Sequence, residues 1–376
     1  MNGVLPELTW GTWGDAVLAA PNAIPVPTHD LSIKSSSSID PVDLADTDGS
    51  AKSRRKLHKK GLRAPSDSRR WFQELQERVD TASFGSTQCA YSQNPLTCSD
   101  REGHSNSPPV IPWDALPAGI HPRDGKLPPA RARNKRQQVE NLAVFLRRLL
   151  RPGDVVVEFC AGSGYVALPL ACLFPQCTFV LLDKKEPSLA IAEERVAAAA
   201  LTNVQIFCGF VDEYTAPFDV GIALHACGEA TDMALQKCID ARAAYVLAPC
   251  CVGKVQHSAL AYPRSEALTA ELSRAEYEVL ARAADFGHSS ELAVAQTEVN
   301  RRRRRCKTLL ESDRNTRARE AGYASWLFVM HPRSATPKND VLVGVPLEGE
   351  DQQHRRFDAA PLTAEAAQEA LFGEER

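Results

Sequence analysis

Gly162 and Gly164 stand where an apolar run, Asp154–Phe159, gives way to a helical pattern, Tyr165–Leu173. A turn at such a junction needs residues without a Cβ, because only then can backbone come close to a ligand. The helix that follows offers unpaired N–H groups at its start. Two acids frame the turn. Glu158 lies inside the first apolar run, and Asp183 closes the next, Thr178–Leu182, nineteen residues beyond Gly164. A carboxylate in that second place can accept hydrogen bonds from both hydroxyls of a ribose. The arrangement predicts a site for a nucleoside-bearing cofactor.

Thiols and one imidazole form a second group. Cys160, Cys208, His225, Cys227, Cys250 and Cys251 all fall at or just past the ends of strand-like segments. In a doubly wound sheet, ligands gather at the C-terminal strand ends. With the usual strand order 3-2-1-4-5, Cys160, His225, Cys227 and the Cys250-Cys251 pair converge. Three readings compete: thiols that fill tight space, a mixed thiolate and imidazole metal site, and a nucleophilic Cys250 that attacks a pyrimidine ring. No CxxC or HExxH spacing is present, so packing is the expectation and no metal is assigned. His225 and Cys250 are the candidate catalytic residues. His225 is read either as a general base for a hydroxyl or ring nitrogen or as a histidine bonded to backbone.

These residues need a frame. Strand-like and helix-like segments alternate from about residue 116: strands at Asp154–Phe159, Thr178–Leu182, Val204–Cys208, Phe218–Leu224 and Ala243–Leu247, and helices at Tyr165–Leu173, Pro187–Ala200 and Thr231–Cys238. Further helices are expected near 131–150, 264–284 and 297–320, and two late strands at Tyr323–Met330 and Val341–Val345. Apolar strands alternating with helices predict an α/β fold, a Rossmann-like, doubly wound and mostly parallel sheet covered on both faces. The late pair, joined by a Pro-containing connection, predicts an antiparallel edge.

The flanks differ in composition. Residues 1–115 are rich in Ser, Pro, Asp and Asn and are expected to be mostly disordered, apart from a basic tract at 52–70 and a short helix near 69–80. The core domain is expected over 116–348, with a polar tail at 349–376 ending in a weak helix. Across 376 residues the net charge is −3, with 44% apolar and 24% charged residues, near the average for a globular protein, and 21 Gly and 25 Pro exclude collagen and a wholly low-complexity chain. No uninterrupted apolar run is long enough for a membrane helix. The N-terminus lacks a basic segment before its apolar stretch, and the cysteines, eleven in number, are odd and scattered. These features predict reduced thiols in a cytoplasmic or nuclear protein.

The cofactor follows from Glu158. Gly162-Ser163-Gly164-Tyr165-Val166-Ala167 fits the dinucleotide fingerprint G-x-G-x-x-G/A. A buried acid just before it would repel a pyrophosphate but suits a cofactor with a cationic amino-acid end. The spacing Glu158-x-x-x-Gly162-x-Gly164 resembles motif I of S-adenosylmethionine-dependent methyltransferases, with Cys160 in place of that motif's first glycine.

Four more blocks accompany the loop: Ala130–Asn141, Leu224–Asp232 (LHACGEATD), Ala248–Lys254 (APCCVGK) and Pro337–Leu342 (PKNDVL). In this order they resemble the methyltransferase-like region of glutathione S-transferase C-terminal domain-containing proteins, over roughly 120–347. No transferase-like helical domain is visible in residues 1–115. The Cys227–Asp232 block is also similar to a tRNA 2′-O-methyltransferase family. The resemblance implies a seven-stranded class I methyltransferase fold that binds S-adenosylmethionine. Glu158, Ala161, Gly162 and Gly164 would line its methionine and ribose side and Asp183 its ribose, with Phe210 or backbone beside the adenine. The Asn/Asp-Pro-Pro-aromatic tetrad of N6-adenine and glutamine methyltransferases is absent after the fourth strand.

Basic clusters suggest the acceptor. Arg131, Arg133, Lys135 and Arg136 form the basic face of one predicted helix, and Arg301–Arg305 is the densest run. Arg131, Arg133, Arg136, Arg302 and Arg303 are expected to reach RNA phosphates, the competing reading being a solvated helix paired through Glu298 or Glu311. The reading is an RNA methyltransferase, acting on tRNA or rRNA. The alternatives are a degenerate methyltransferase fold used for binding or assembly, and a protein methyltransferase.

Overall fold

The continuous apolar runs become strands, and the central ones are buried on both faces. A computed structural model of the chain describes residues 65–81, 84, 90–99, 110–125, 127–252, 255, 258–285, 296–347 and 357–373. β1 (Val155–Phe159), β2 (Thr178–Asp183), β3 (Val204–Cys208), β4 (Val220–Leu224) and β5 (Ala244–Ala248) pair in parallel. β6 (Tyr323–Val329) and β7 (Asp340–Pro346) complete a seven-stranded sheet in the order β3-β2-β1-β4-β5-β7-β6. β7 inserts between β5 and β6 and runs antiparallel to both, as the Pro-containing connection predicted. Every residue of β4, β5 and β7 is buried, so these strands are apolar throughout rather than alternating.

The two faces carry separate cores. On one, α3 (Pro129–Leu149), α4 (Ala167–Leu173) and α5 (Glu186–Ala198) cover Val156, Phe179, Leu181, Ile222 and Val246. α3 presents Val139, Leu142, Phe145, Leu146 and Leu149 at helical spacing, each almost fully buried. Arg147 and Arg148 fall in its last turn, where positive charge complements the helix dipole. On the other face, α6 (Glu229–Asp240) and α9 (Glu298–Glu320) cover Val157, Val180, Ala223, Tyr245 and Leu247. Successive strand residues thus point to opposite layers.

The elements outside the sheet differ from expectation in three places. The helix expected at 264–284 is two, α7 (Glu266–Thr269) and α8 (Arg274–Ala284), each started by a serine that accepts a backbone N–H. The domain also begins earlier than residue 116. α1 (Pro65–Thr81) buries Leu75 and Val79 against α8 and α9 residues such as Tyr277, Leu280 and Leu309. Asn94, just before α2 (Pro95–Ser99), donates to Asn141 and to the Val329 carbonyl. Amphipathic spacing in α1 and side-chain amides near α2 tie these segments down despite their polar surroundings. Most of the basic tract at 52–70 lies outside the described residues. The tail is not merely polar: Phe357 is buried against Phe145, Trp326 and Phe328, and Leu362 N–H donates to the Tyr91 carbonyl before α10 (Ala364–Phe372).

Candidate active site

The chain turns sharply as it leaves β1. Cys160, Gly162 and Gly164 all have positive φ, at 60°, 56° and 75°. Cys160 holds a conformation that L-residues rarely adopt. A Cβ at Gly162 would meet nothing within 4 Å, so the space above this glycine is open. A Cβ at Gly164 would lie 2.9 Å from Leu168 and Leu181, so that glycine lets α4 pack close to β2. Asp183 fastens the turn: its Oδ2 accepts from Gly162 N–H at 2.8 Å, and its Oδ1 from Lys185 N–H at 2.9 Å. Each oxygen keeps a lone pair for a further donor.

Glu158 is buried and its Oε2 accepts the Ala167 N–H at the start of α4, at 2.8 Å. Burial raises its carboxyl to about 8, opposed by the Ala167 bond and by Lys135. A cation next to it would draw it back to the ionised form. Phe210, past β3, is 52% exposed, with the Lys184 ammonium over its ring at 5.3 Å. The side chains assigned to the cofactor thus cluster at the C-terminal ends of β1, β2 and β3.

His225 follows β4, also at a positive φ of 68°. Its Nε2 lies 2.9 Å from Gln138 Oε1, while Gln138 Nε2 donates to the Ala335 carbonyl at 2.7 Å. The amide oxygen therefore accepts, His225 carries its proton on Nε2, and the basic lone pair is on Nδ1. Among the described residues, the partner of Nε2 is this side-chain amide and not backbone. Burial, then the charge of Lys135, lowers the imidazole to about 4. A base that weak contributes little by accepting a proton outright. It can accept a hydrogen bond and orient an acceptor.

Lys135 and Gln138, one helical turn apart on α3, are site residues that sequence reasoning assigned elsewhere or passed over. The Lys135 ammonium acts on Glu158, Cys250 and His225, and burial lowers its own pKa. The signal was a polar pair beside the apolar positions Val139 and Leu142 of an otherwise core-facing helix.

The thiols separate. Cys160 is pushed up to about 11, chiefly by burial, and Cys208 is exposed at the end of β3. Cys227, Cys250 and Cys251 come together, with all three sulfurs within 4.8 Å of one another and Cys227 Sγ 3.0 Å from Cys250 Sγ. Cys227 is exposed and Cys251 half-buried, so core filling does not describe the group. The neighbouring Cys227 thiol and burial raise Cys250, against its acting as an unassisted thiolate nucleophile.

The Arg301–Arg305 run is divided by its helix. Arg304 turns inward and pairs with Asp340. Arg302 and Arg305 reach Glu298, at 2.9 and 3.6 Å, and Arg303 is exposed. On α3, Arg131 and Arg133 are exposed, while Arg136 is half-buried over the Trp113 ring at 5.4 Å.

Residues 134–258, which hold the β1 turn, His225 and the thiol cluster, match the model of a family described as a methyltransferase domain. This part of the chain is similar to a methyltransferase domain. The domain is similar to the human glutathione S-transferase C-terminal domain-containing protein, 39% identical over 241 residues, covering 63% of this chain and 37% of that one. The Drosophila melanogaster homolog is 37% identical over 247 residues, covering 65% of this chain and 42% of the relative. The chain thus matches about two-fifths of these relatives' length. A shorter likeness, 26% over 81 residues, is to ribosomal RNA small subunit methyltransferase G of Cytophaga hutchinsonii, covering 22% of this chain and 39% of that one.

The cofactor of a methyltransferase domain of this class I fold is S-adenosylmethionine, and the residues fit it. The open space over Gly162 admits a close ligand, Asp183 has lone pairs for ribose hydroxyls, and Glu158 offers a buried carboxyl to a cationic amino-acid end. The exposed Phe210 ring supplies an apolar face for a purine.

Proposed function

We propose that this chain transfers a methyl group from S-adenosylmethionine to RNA. One observation carries the reading: the helix that lines the site also bears the basic surface. Lys135 and Gln138 of α3 face His225, the exposed Arg131 lies one turn before Lys135 on the same face, and Arg133, also exposed, stands further round the helix. A polyanionic acceptor gripped by those arginines would be delivered to the strand ends where the donor loop lies. The short likeness to a ribosomal RNA methyltransferase supports the same acceptor class.

The donor supplies an electrophilic methyl group when bound. The chain's own residues do the rest. Asp183 and the Gly162 backbone hold the ribose side, Glu158 balances the cationic end, and His225 Nδ1 accepts a hydrogen bond from the acceptor. Its Nε2–H stays fixed on Gln138.

The test is transfer of a radioactive methyl group by purified protein in cell extract. Label that nuclease removes and protease leaves supports the proposal. Label sensitive only to protease would transfer the reading to a protein acceptor. Donor binding with no label in either fraction would leave a binding module.

A further inference from the structure

We propose that Cys227, Cys250 and Cys251 together bind one zinc ion with an open fourth position. Cys227 follows β4, and the Cys250-Cys251 pair follows β5, the neighbouring strand. Gly228, at φ 62°, folds the first loop back so that its N–H donates to the Cys251 carbonyl at 2.8 Å. The two loops are thereby tied backbone to backbone, and the three sulfurs converge within 4.8 Å. Zinc–sulfur bonds of about 2.3 Å in a tetrahedron place sulfurs about 3.8 Å apart. The Cys227–Cys250 separation of 3.0 Å opens slightly to reach it, and all three sulfurs already lie within 4.8 Å of one another.

The surroundings match the charge of such a centre. Three thiolates and one Zn²⁺ carry a net negative charge. Lys338, with its side chain 7% exposed, points its ammonium at Cys251 Sγ at 3.3 Å while also pairing with Asp285. An ammonium aimed at a sulfur suits a thiolate and a metal's surroundings, and filling a core would need no such charge. Lys135 is the second cation acting on Cys250.

Among the described residues, no fourth His, Cys, Asp or Glu joins the group. Three ligands from the described residues leave one position, as in a zinc that meets an outside ligand; structural zinc is closed by four. Cys227 is exposed and Cys250 buried, so the centre opens toward solvent on the Cys227 side. That the outside ligand is water or the acceptor's nucleophilic atom rests on the methyltransferase reading. The metal itself does not, because it is measured without donor or acceptor.

A disulfide between Cys227 and Cys250 is the competing use of these sulfurs. It would need an outside oxidant and leave the Cys251 sulfur beside the Lys338 ammonium unexplained.

The full chain is purified under reducing conditions and its zinc measured, then exchanged for Co²⁺. The proposal expects about one ion per chain, a sulfur-to-cobalt charge-transfer band and the visible bands of a tetrahedral site. X-ray absorption should show three sulfur neighbours and one lighter atom. Cys250→Ser and Cys251→Ser should lose the ion, and Cys172→Ser, on α4, should keep it. If Cys250→Ser does not fold, the half-buried Cys251→Ser and the wild-type absorption spectrum decide. Reduced wild type that takes up neither zinc nor cobalt overturns the proposal. So does a site with fewer than three sulfurs, or full uptake by Cys251→Ser. A Cys227–Cys250 disulfide in a protein that refuses metal would make the pair a redox element instead.

Discussion

Arg314 grips Asp232 with two parallel bonds: its Nε meets Oδ1 and its Nη2 meets Oδ2, both at 2.9 Å, with both side chains buried. Asp232 ends the LHACGEATD block, and Arg314 lies on the inner face of α9. The same face carries Arg304, Lys307 and Glu311 at helical spacing. Lys307 reaches Glu311 at 2.6 Å, Asp340 at 2.9 Å and the Pro249 carbonyl at 3.4 Å. Arg314 also meets Glu311 at 2.8 Å and the Gly228 carbonyl at 3.5 Å. A buried ionic row therefore holds the backbone before Cys250 and the backbone after Cys227.

Removing one member strands a charge. Arg314→Met should lower folding stability by about 3–5 kcal/mol, seen as a reduced denaturant midpoint. Replacing Asp232 by Asn as well should recover part of the loss, because the second charge goes with the first. A single variant within about 0.5 kcal/mol of wild type would show that the row is not structural.

This row explains what composition hid. The strands, their parallel order and the donor turn were legible because burial on both faces writes apolar runs, and a tight turn writes glycine. α9 was legible as a helix but not in its facing, since a charged inner face looks like a solvated one. Arg304 thus read as one more member of a basic run, with nothing to mark it as the inward one. Lys135 read as part of a basic surface because nothing in one sequence tells which side of α3 meets β4. Before residue 116, the helix near 69–80 was legible from the spacing of Leu75 and Val79 but its packing on the domain was not, and the segment around Asn94 was missed because a single side-chain amide anchors a polar stretch.

The two glycines of the donor turn should respond differently. Gly162→Asp places a side chain in the open space above the turn and a charge beside Asp183. Donor affinity should fall by at least about a hundredfold, while the positive φ costs the fold about 1–2 kcal/mol. Gly164→Asp drives a Cβ into Leu168 and Leu181 and should destabilise the domain more strongly. Calorimetry with S-adenosylhomocysteine and thermal melts separate the two effects. Full donor binding by Gly162→Asp would move the donor away from this turn.

Glu158 makes stability depend on pH. Its carboxyl is raised from 4.5 to about 8 in the folded chain, chiefly by burial. The folded state holds this proton more tightly than the unfolded state does. The stabilisation is complete below about 4.5 and is lost as pH rises through about 8, on the order of a few kcal/mol. Glu158→Gln keeps an oxygen for the Ala167 N–H and should flatten that part of the stability profile. Donor binding acts the other way. A cationic donor favours the ionised carboxyl, so wild-type affinity should rise, with proton release, from about pH 6 to about pH 8. An identical pH profile in Glu158→Gln would remove Glu158 from both roles.

RNA affinity should depend on salt through α3 more than through α9. Arg131 and Arg133 are exposed beside the site, whereas Arg302 is engaged with Glu298 at 2.9 Å and Arg304 is buried on Asp340. Each phosphate contact contributes a slope of about −0.7 to −0.9 in log affinity against log salt. Replacing Arg131 and Arg133 together by Ala should flatten the slope by about 1.5 units if both make contacts. Replacing Arg302 and Arg303 should flatten it by less than about one unit, since only Arg303 is exposed without crossing to Glu298. Filter binding of unfractionated tRNA across a salt series measures both. Equal slopes for wild type and the α3 double variant would mean that the basic helix is solvated surface. The proposal of an RNA acceptor would then lose the geometry that carries it.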